Sequence, residues 1–333
     1  METMTFASSP APGSLGPLFL TGGAVDRGGE DRRSQGWLDA AREAPATRAL
    51  LLAGGRTPVL GATLAAPLAS EVREELAAAG TLVWLGRLDG VDWVTAAVTE
   101  EALAPVAAAR GAALAGLREV GAELPLGEAA LLTQASAVVH WHRVTRFCAR
   151  CGAPTEAIDA GWVLRCTAEG TEHFPRTDPA VIVLVTDDED RVLLGANAAW
   201  GGDRYSLFAG FVEPGESLEE AAAREVQEEA GVRLDAPVYA GSQPWPFPAS
   251  LMLGFTARAL GTDSTPDGEE IVSTRWFTRA ELAAEVESGR IGIPGGISIA
   301  GALLGRWFGG ELPQPPAAPA VDPNGGNGAG EGK

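Results

Sequence analysis

The period of the hydrophobic positions changes several times along the chain, and each change marks a boundary. Residues 180–186 are a continuous apolar run closed by Asp187-Asp188-Glu189-Asp190, predicting a strand buried on both faces and then a turn. Residues 191–194 return as its partner, and 205–211, 238–240, 250–259 and 275–278 read as further strands. Helices are predicted at 218–229, 280–288 and 297–308. The first has the clearest punctuation. Ser217 is an N-cap, Glu220 completes a capping box, no Gly or Pro interrupts, and Gly231 supplies the stop. Upstream, 37–43 predicts a helix and 48–52, 57–60, 81–85 and 91–98 predict strands. The Ala-rich stretches 100–117 and 127–142 predict two more helices. This half is α+β and carries no catalytic signature. Residues 1–36 are rich in Gly, Pro, Ser and charge apart from an apolar patch at 15–20, so they read as flexible, with at most one docked turn. From 309 onward the composition collapses to Gly, Pro, Ala and Asn, the mark of a disordered tail. The expected plan is a loose 1–36, an α+β domain at 37–143, a small segment at 144–174, a C-terminal domain at 175–308 and a tail at 309–333.

Charge and cysteine content narrow the class. The 333 residues carry a formal net charge of −19 at a mean hydropathy of +0.06. Such a chain has no general basic surface, which argues against duplex nucleic acid as a partner but not against an anion held locally by metal. Three cysteines in one short region are no secreted disulfide framework. With no 18-residue apolar run and no basic leader, the expectation is a cytoplasmic protein that does not enter membranes.

Candidate chemistry sits in three places. On the 218–229 helix, Glu225, Glu228 and Glu229 fall within one arc, where they repel one another unless neutralised. A hard divalent cation, Mg²⁺ or Mn²⁺, answers that need. The second place is Cys148-Ala149-Arg150-Cys151-Gly152 followed by Cys166, a knuckle turn and a third thiolate in the layout of a zinc ribbon. The usual fourth cysteine position holds Glu169; His173 lies four residues on and is the preferred ligand for Zn²⁺, with Glu169 as the alternative. A metal-free relic and a redox pair remain as other readings. Around it Arg143, Arg146, Arg150, Arg165 and Arg176 form a locally basic stretch, read as solvated surface or as a phosphate- or RNA-facing patch. The third place is Ser242-Gln243-Pro244-Trp245-Pro246-Phe247-Pro248-Ala249-Ser250. Prolines alternating with aromatics stiffen the backbone, giving either a platform for a planar ring, a proline-rich core loop or a ligand for another protein's groove.

The residues from Gly210 to Val232 resemble the Nudix box, G-x5-E-x7-R-E-U-x-E-E-x-G-U, with Gly210, Glu216, Arg224, Glu225, Val226, Glu228, Glu229, Gly231 and Val232 at its fixed positions. The S-Q-P-W-P-F-P-x-S array downstream resembles the signature of the NADH pyrophosphatase (NudC-type) family, and the order of domains is similar too. The resemblance implies an α+β multidomain chain whose α/β/α-sandwich Nudix domain, with a mixed sheet, follows an α+β domain and a zinc ribbon. It implies metal-dependent hydrolysis of the NAD(H) diphosphate to nicotinamide mononucleotide and AMP, removal of NAD caps from RNA 5′ ends, and a homodimer. Carried over by position, Glu225, Glu228 and Glu229 are catalytic, and Glu225, Glu229, Glu270 and the Ala209 carbonyl bind Mg²⁺ or Mn²⁺, with Glu269 the fallback for Glu270. Arg224 braces Glu216. Phe211, Gln243, Pro244, Trp245, Pro246, Phe247, Pro248, Ala249, Ser250 and Ala300 contact substrate. Two alternatives stand beside this: another nucleoside diphosphate such as ADP-ribose, or a non-catalytic zinc-ribbon RNA-binding protein.

Overall fold

A computed structural model describes residues 14–34 and 36–316. The loose terminus expected for 1–13 and the tail expected for 317–333 lie outside the described residues.

The N-terminal domain runs α1 (Trp37–Glu43), β1 (Arg48–Leu52), β2 (Arg56–Leu60), β3 (Thr63–Leu64), α2 (Arg73–Ala78), β4 (Leu82–Leu88), β5 (Val91–Ala97), α3 (Glu100–Ala108), β6 (Ala113–Gly116), α4 (Leu117–Val120) and α5 (Leu126–Val144). Its strands form two three-stranded sheets, β1-β5-β4 and β3-β2-β6. The helix predicted over 100–117 stops at Ala108, because Gly111 turns the chain at a φ of 61° and 113–116 pairs with β2 instead. Tertiary pairing there overrides the helical preference of an Ala-rich stretch. Next, β7 (Thr155–Ile158), β8 (Val163–Cys166) and β9 (Glu172–His173) make a small three-stranded meander.

The C-terminal domain comprises β10 (Asp178–Thr186), β11 (Val192–Asn197), β12 (Tyr205–Ser206), β13 (Phe208–Phe211), α6 (Leu218–Ala230), β14 (Val238–Trp245), β15 (Ser250–Arg258), β16 (Ile271–Phe277), α7 (Arg279–Glu287) and α8 (Ile299–Phe308). Its seven-stranded sheet is mixed: β10 and β15 run parallel, and their other pairings are antiparallel. The apolar run of β10 serves two cores by strand alternation. Val181, Val183 and Val185 pack with Ala221, Ala222, Val226 and Ala230 of α6 on one face. Ile182 and Leu184 pack with Leu282 and Val286 of α7 and Leu303 and Leu304 of α8 on the other. This is the α/β/α sandwich, and it fixes α6 against the strand that leads into the site.

Residues 14–34 are not loose. The Leu15 N–H donates to the Ala240 carbonyl at 2.7 Å, and Asp26 exchanges two backbone hydrogen bonds with Arg87. Leu18 is buried in the core beneath α8, and Leu20 in the core of the N-terminal domain. One short strap therefore inserts an anchor into each domain. Composition concealed it because its glycines and charges outnumber the two leucines that do the docking.

Candidate active site

The capping box of α6 forms as its sequence requires: Ser217 Oγ accepts the Glu220 N–H at 3.2 Å, and the Glu220 carboxylate accepts the Ser217 N–H at 2.8 Å. At the other end Gly231 takes the left-handed conformation, φ 70°. The alanine face packs on the sheet, which draws Glu225 and Glu229 inward to 9% and 5% exposure. Glu228 does not join them. Its side chain points outward to Arg224 Nη1 at 3.0 Å, so the three carboxylates divide into two buried and one at the surface. Arg224 is the brace the pattern predicts, reaching Glu216 at 2.6 and 2.9 Å and the Phe211 carbonyl at 3.0 Å. That fork holds the Glu216 carboxyl down to about 2.

Burial pushes Glu229 up to about 8, with further repulsion from Glu270 and Glu225, while the Ala209 N–H pulls it partly back. Burial also raises Glu225, more than the Arg224 contact lowers it. The Glu229 Oε2 atom is buried without a hydrogen-bond partner. A buried acidic pair with an orphan oxygen is what a divalent cation neutralises, so the donor set fits Mg²⁺ or Mn²⁺. Gly210 makes room for it: a Cβ there would lie 2.1 Å from the Glu225 carboxyl.

Glu229 opens into a cleft of about 480 Å³. Glu270 lines it, tethered by Asn197 Nδ2 at 3.1 Å and presented by a turn in which Asp267 Oδ1 accepts the N–H groups of Glu269, Glu270 and Ile271. Glu269, the fallback, is not in the lining. Ala209 and Ala300 line the cleft, whereas the Phe211 ring does not and is 55% exposed.

The aromatic array divides as well. Only Gln243 and Trp245 line the cleft. Residues 238–245 are an edge strand, where Pro244 is tolerated, and the next four residues form the turn to β15. Pro244, Pro246, Ala249 and Ser250 face a cavity behind Trp245; Pro246, Phe247 and Pro248 face another against the N-terminal domain. Gln243 is 1% exposed and its amide is fully used: it donates to the Phe19 and Ile297 carbonyls at 2.8 Å each and accepts the Ile299 N–H at 2.7 Å. It therefore clamps the strap to the start of α8 and positions Ala300. Gln243→Leu strands three buried backbone groups, and the expected loss is about 3 kcal/mol, read from the denaturant midpoint at unchanged slope. Residues that sequence reasoning missed are Arg118, Asn197, Trp200, Arg204 and Met252, all in the lining. Met252 reaches the cleft because it pairs with Gln243 across β14 and β15, and Arg118 arrives from another domain with no local signal.

Residues 176–293 match the NUDIX domain model, 143–174 the NADH pyrophosphatase zinc ribbon domain, and 44–141 the NADH pyrophosphatase-like rudimentary NUDIX domain. Over 286 residues the chain is 41% identical to the NAD-capped RNA hydrolase NudC of Mycobacterium bovis BCG Pasteur, covering 82% of this chain and 87% of that one. The chain belongs to the NADH pyrophosphatase family of Nudix hydrolases. The protein of the same name from Stutzerimonas stutzeri is 40% identical over 205 residues, 62% of this chain and 71% of that one. The Macaca fascicularis NAD-capped RNA hydrolase NUDT12 is 36% identical over 193 residues, 54% of this chain and 42% of that one.

In the zinc ribbon of this NADH pyrophosphatase family member, the ligand atoms of Cys148, Cys151, Cys166 and Glu169 all lie within 4.8 Å of one another. The cluster fits a tetrahedral zinc site. His173, the ligand preferred on sequence, is outside it. The turn after Cys166 closes tightly, with Gly170 N–H on the Cys166 carbonyl and Cys166 N–H on the Thr171 carbonyl, and folds Glu169 back to within 3.6 Å of Cys148 Sγ. His173 is by then in β9, paired with Leu164. Glu169→Ala should lower zinc per chain well below that of wild type, while His173→Ala should retain it; metal analysis of protein purified without chelators reads the difference.

Proposed function

We propose that this protein hydrolyses the diphosphate of NAD(H), adding water across the P–O–P linkage to release nicotinamide mononucleotide and AMP. On an NAD-capped RNA the same reaction leaves a 5′-monophosphate end. One observation carries the reading: Glu229, a buried box carboxylate with an unpartnered oxygen, and Glu270 share a cleft with Trp245 of the aromatic array.

Divalent cations, Mg²⁺ or Mn²⁺, would be held by Glu225, Glu229, Glu270 and the Ala209 backbone, where they screen the diphosphate and make water a better nucleophile. The chain's own groups do the rest. Arg118 and Arg204 stand in the cleft wall as donors for phosphate oxygens. Trp245 offers a face for a planar ring, held against Phe247 at 5.1 Å between centroids. The exposed Phe211 ring beside the box is available to the nicotinamide. Glu228 acts through charge, raising Glu225. Ser298 caps α8 and, with the Gln243 clamp, fixes the Ala300 backbone at the cleft. Zinc in the cysteine cluster is structural in this reading, and a homodimer in the cytoplasm is its expected setting. Among the described residues no helix is long and apolar enough to cross a membrane.

The test is a substrate ranking: kcat/KM for NADH, NAD⁺ and ADP-ribose with Mg²⁺ and with Mn²⁺. NADH or NAD⁺ should lead. A clear preference for ADP-ribose, which lacks the nicotinamide ring, would remove the role given to the aromatic wall.

A further inference from the structure

The catalytic cleft does not end at Trp245. Arg118, on α4, lines it and also lines a second, open groove of about 750 Å³ on the far side of the aromatic turn. Its guanidinium lies 4.1 Å from the centroid of Phe247 and 5.5 Å from that of Trp245, so it stands at the junction of the two. Pro246, Phe247 and Pro248 form one wall of the groove; Arg56, His140 and Arg143 stand along the others.

The charge of this groove is anomalous. The chain has 44 acidic and 25 basic residues, so its surface presents carboxylates more often than cations. Here three arginines and a histidine face one carboxylate, Glu119, and that one already accepts the Gly116 N–H at 3.1 Å. Arg56 donates to the Leu114 carbonyl, Arg143 contacts His140 Nδ1 at 3.3 Å, and Arg118 rests on aromatic rings. Among the described residues none of the three is ion-paired. By contrast Arg150, Arg165 and Arg176, from the basic stretch evident in the sequence, are paired with Glu169, Glu156 and Asp178. Gly54 and Gly55 leave part of the floor bare, with no atom within 4 Å of where a Cβ would stand. Unpaired guanidiniums on an acidic protein create a local field that favours a polyanion.

We propose that this groove holds the phosphodiester backbone of the first nucleotides of a single-stranded RNA whose NAD-capped end occupies the catalytic cleft. The proposal rests on the hydrolase reading above. In such an RNA the chain continues from the 3′ oxygen of the adenosine, so it must leave the cleft while the diphosphate stays beside Glu229 and Glu270. Arg118 makes one route continuous, from the cleft over Phe247 to Arg56 and Arg143. Free NAD(H) has no such extension and makes no use of the groove.

The experiment compares NAD⁺ with an NAD-capped single-stranded oligonucleotide at two salt concentrations, using the full chain. The double variant Arg56→Gln/Arg143→Gln lies outside the catalytic cleft, and its thermal unfolding is compared with wild type. It should lower kcat/KM on the capped oligonucleotide by about tenfold and flatten its log–log salt slope by about 1.4, roughly 0.7 per lost phosphate contact. On NAD⁺ it should stay within about twofold of wild type, and Arg73→Gln, on α2, should change neither substrate. Equal losses on both substrates, or no loss on the capped oligonucleotide, would overturn the groove. Wild-type protein that cleaves neither substrate would instead sink the hydrolase reading, and the groove with it.

Discussion

Replacing Glu229 with glutamine is expected to lower kcat/KM on NADH by about a thousandfold, ~4 kcal/mol, and to leave the fold intact. The substitution keeps volume and removes the charge that a divalent cation would neutralise. Glu229 is 5% exposed, its Oε2 has no hydrogen-bond partner, and burial already drives the carboxyl up to about 8, so apart from the Ala209 N–H no protein contact favours its negative charge. Activity within about tenfold of wild type would mean that the carboxylate contributes little to transition-state stabilisation. A large fall in melting temperature would mean that it is a packing element.

The second large effect comes from a single methyl group. Gly210→Ala places a Cβ 2.1 Å from the Glu225 carboxyl, a distance no contact tolerates, so the carboxylate must swing away. Glu225 is held by Arg224 Nη1 at 2.9 Å, and Arg224 also secures Glu216 and the Phe211 carbonyl, so the displacement disturbs the loop that presents the box. An activity loss of about a hundredfold, ~3 kcal/mol, is expected, with stability reduced far less because the side chain that moves ends at the site. Circular dichroism and thermal unfolding, run beside NADH kinetics, separate the two effects. Normal kinetics would show that Glu225 has another competent position.

The sequence made the local chemistry legible and left the long-range assembly hidden. The α6 helix, its capping box and its glycine stop follow from spacing alone, because each is decided within a few residues, and the Arg224–Glu216 brace is what the resemblance to the Nudix box implies. The double burial of β10 was readable for the same reason: an apolar run with no alternation has two cores to serve. What could not be read depends on residues far apart. Gln243 looked like a substrate contact, yet its three partners lie on the strap and the start of α8. Glu228 shared an arc with its neighbours on a helical wheel, but the rotation of about 100° between successive residues separates buried Glu229 from solvated Glu228. Glu169 took the place expected of His173 because a tight turn, not ligand preference, decides which residue returns to the cysteines. Arg118 was invisible, since only domain packing brings it to the cleft.

The most direct test is to identify which bond breaks. Purified protein is incubated with an NAD-capped RNA and a divalent cation, and the products are resolved by mass. Nicotinamide mononucleotide and an RNA ending in a 5′-monophosphate, both absent with Glu229→Gln, are the predicted result. Release of free nicotinamide with the diphosphate still intact, or equal turnover by the glutamine variant, would contradict it.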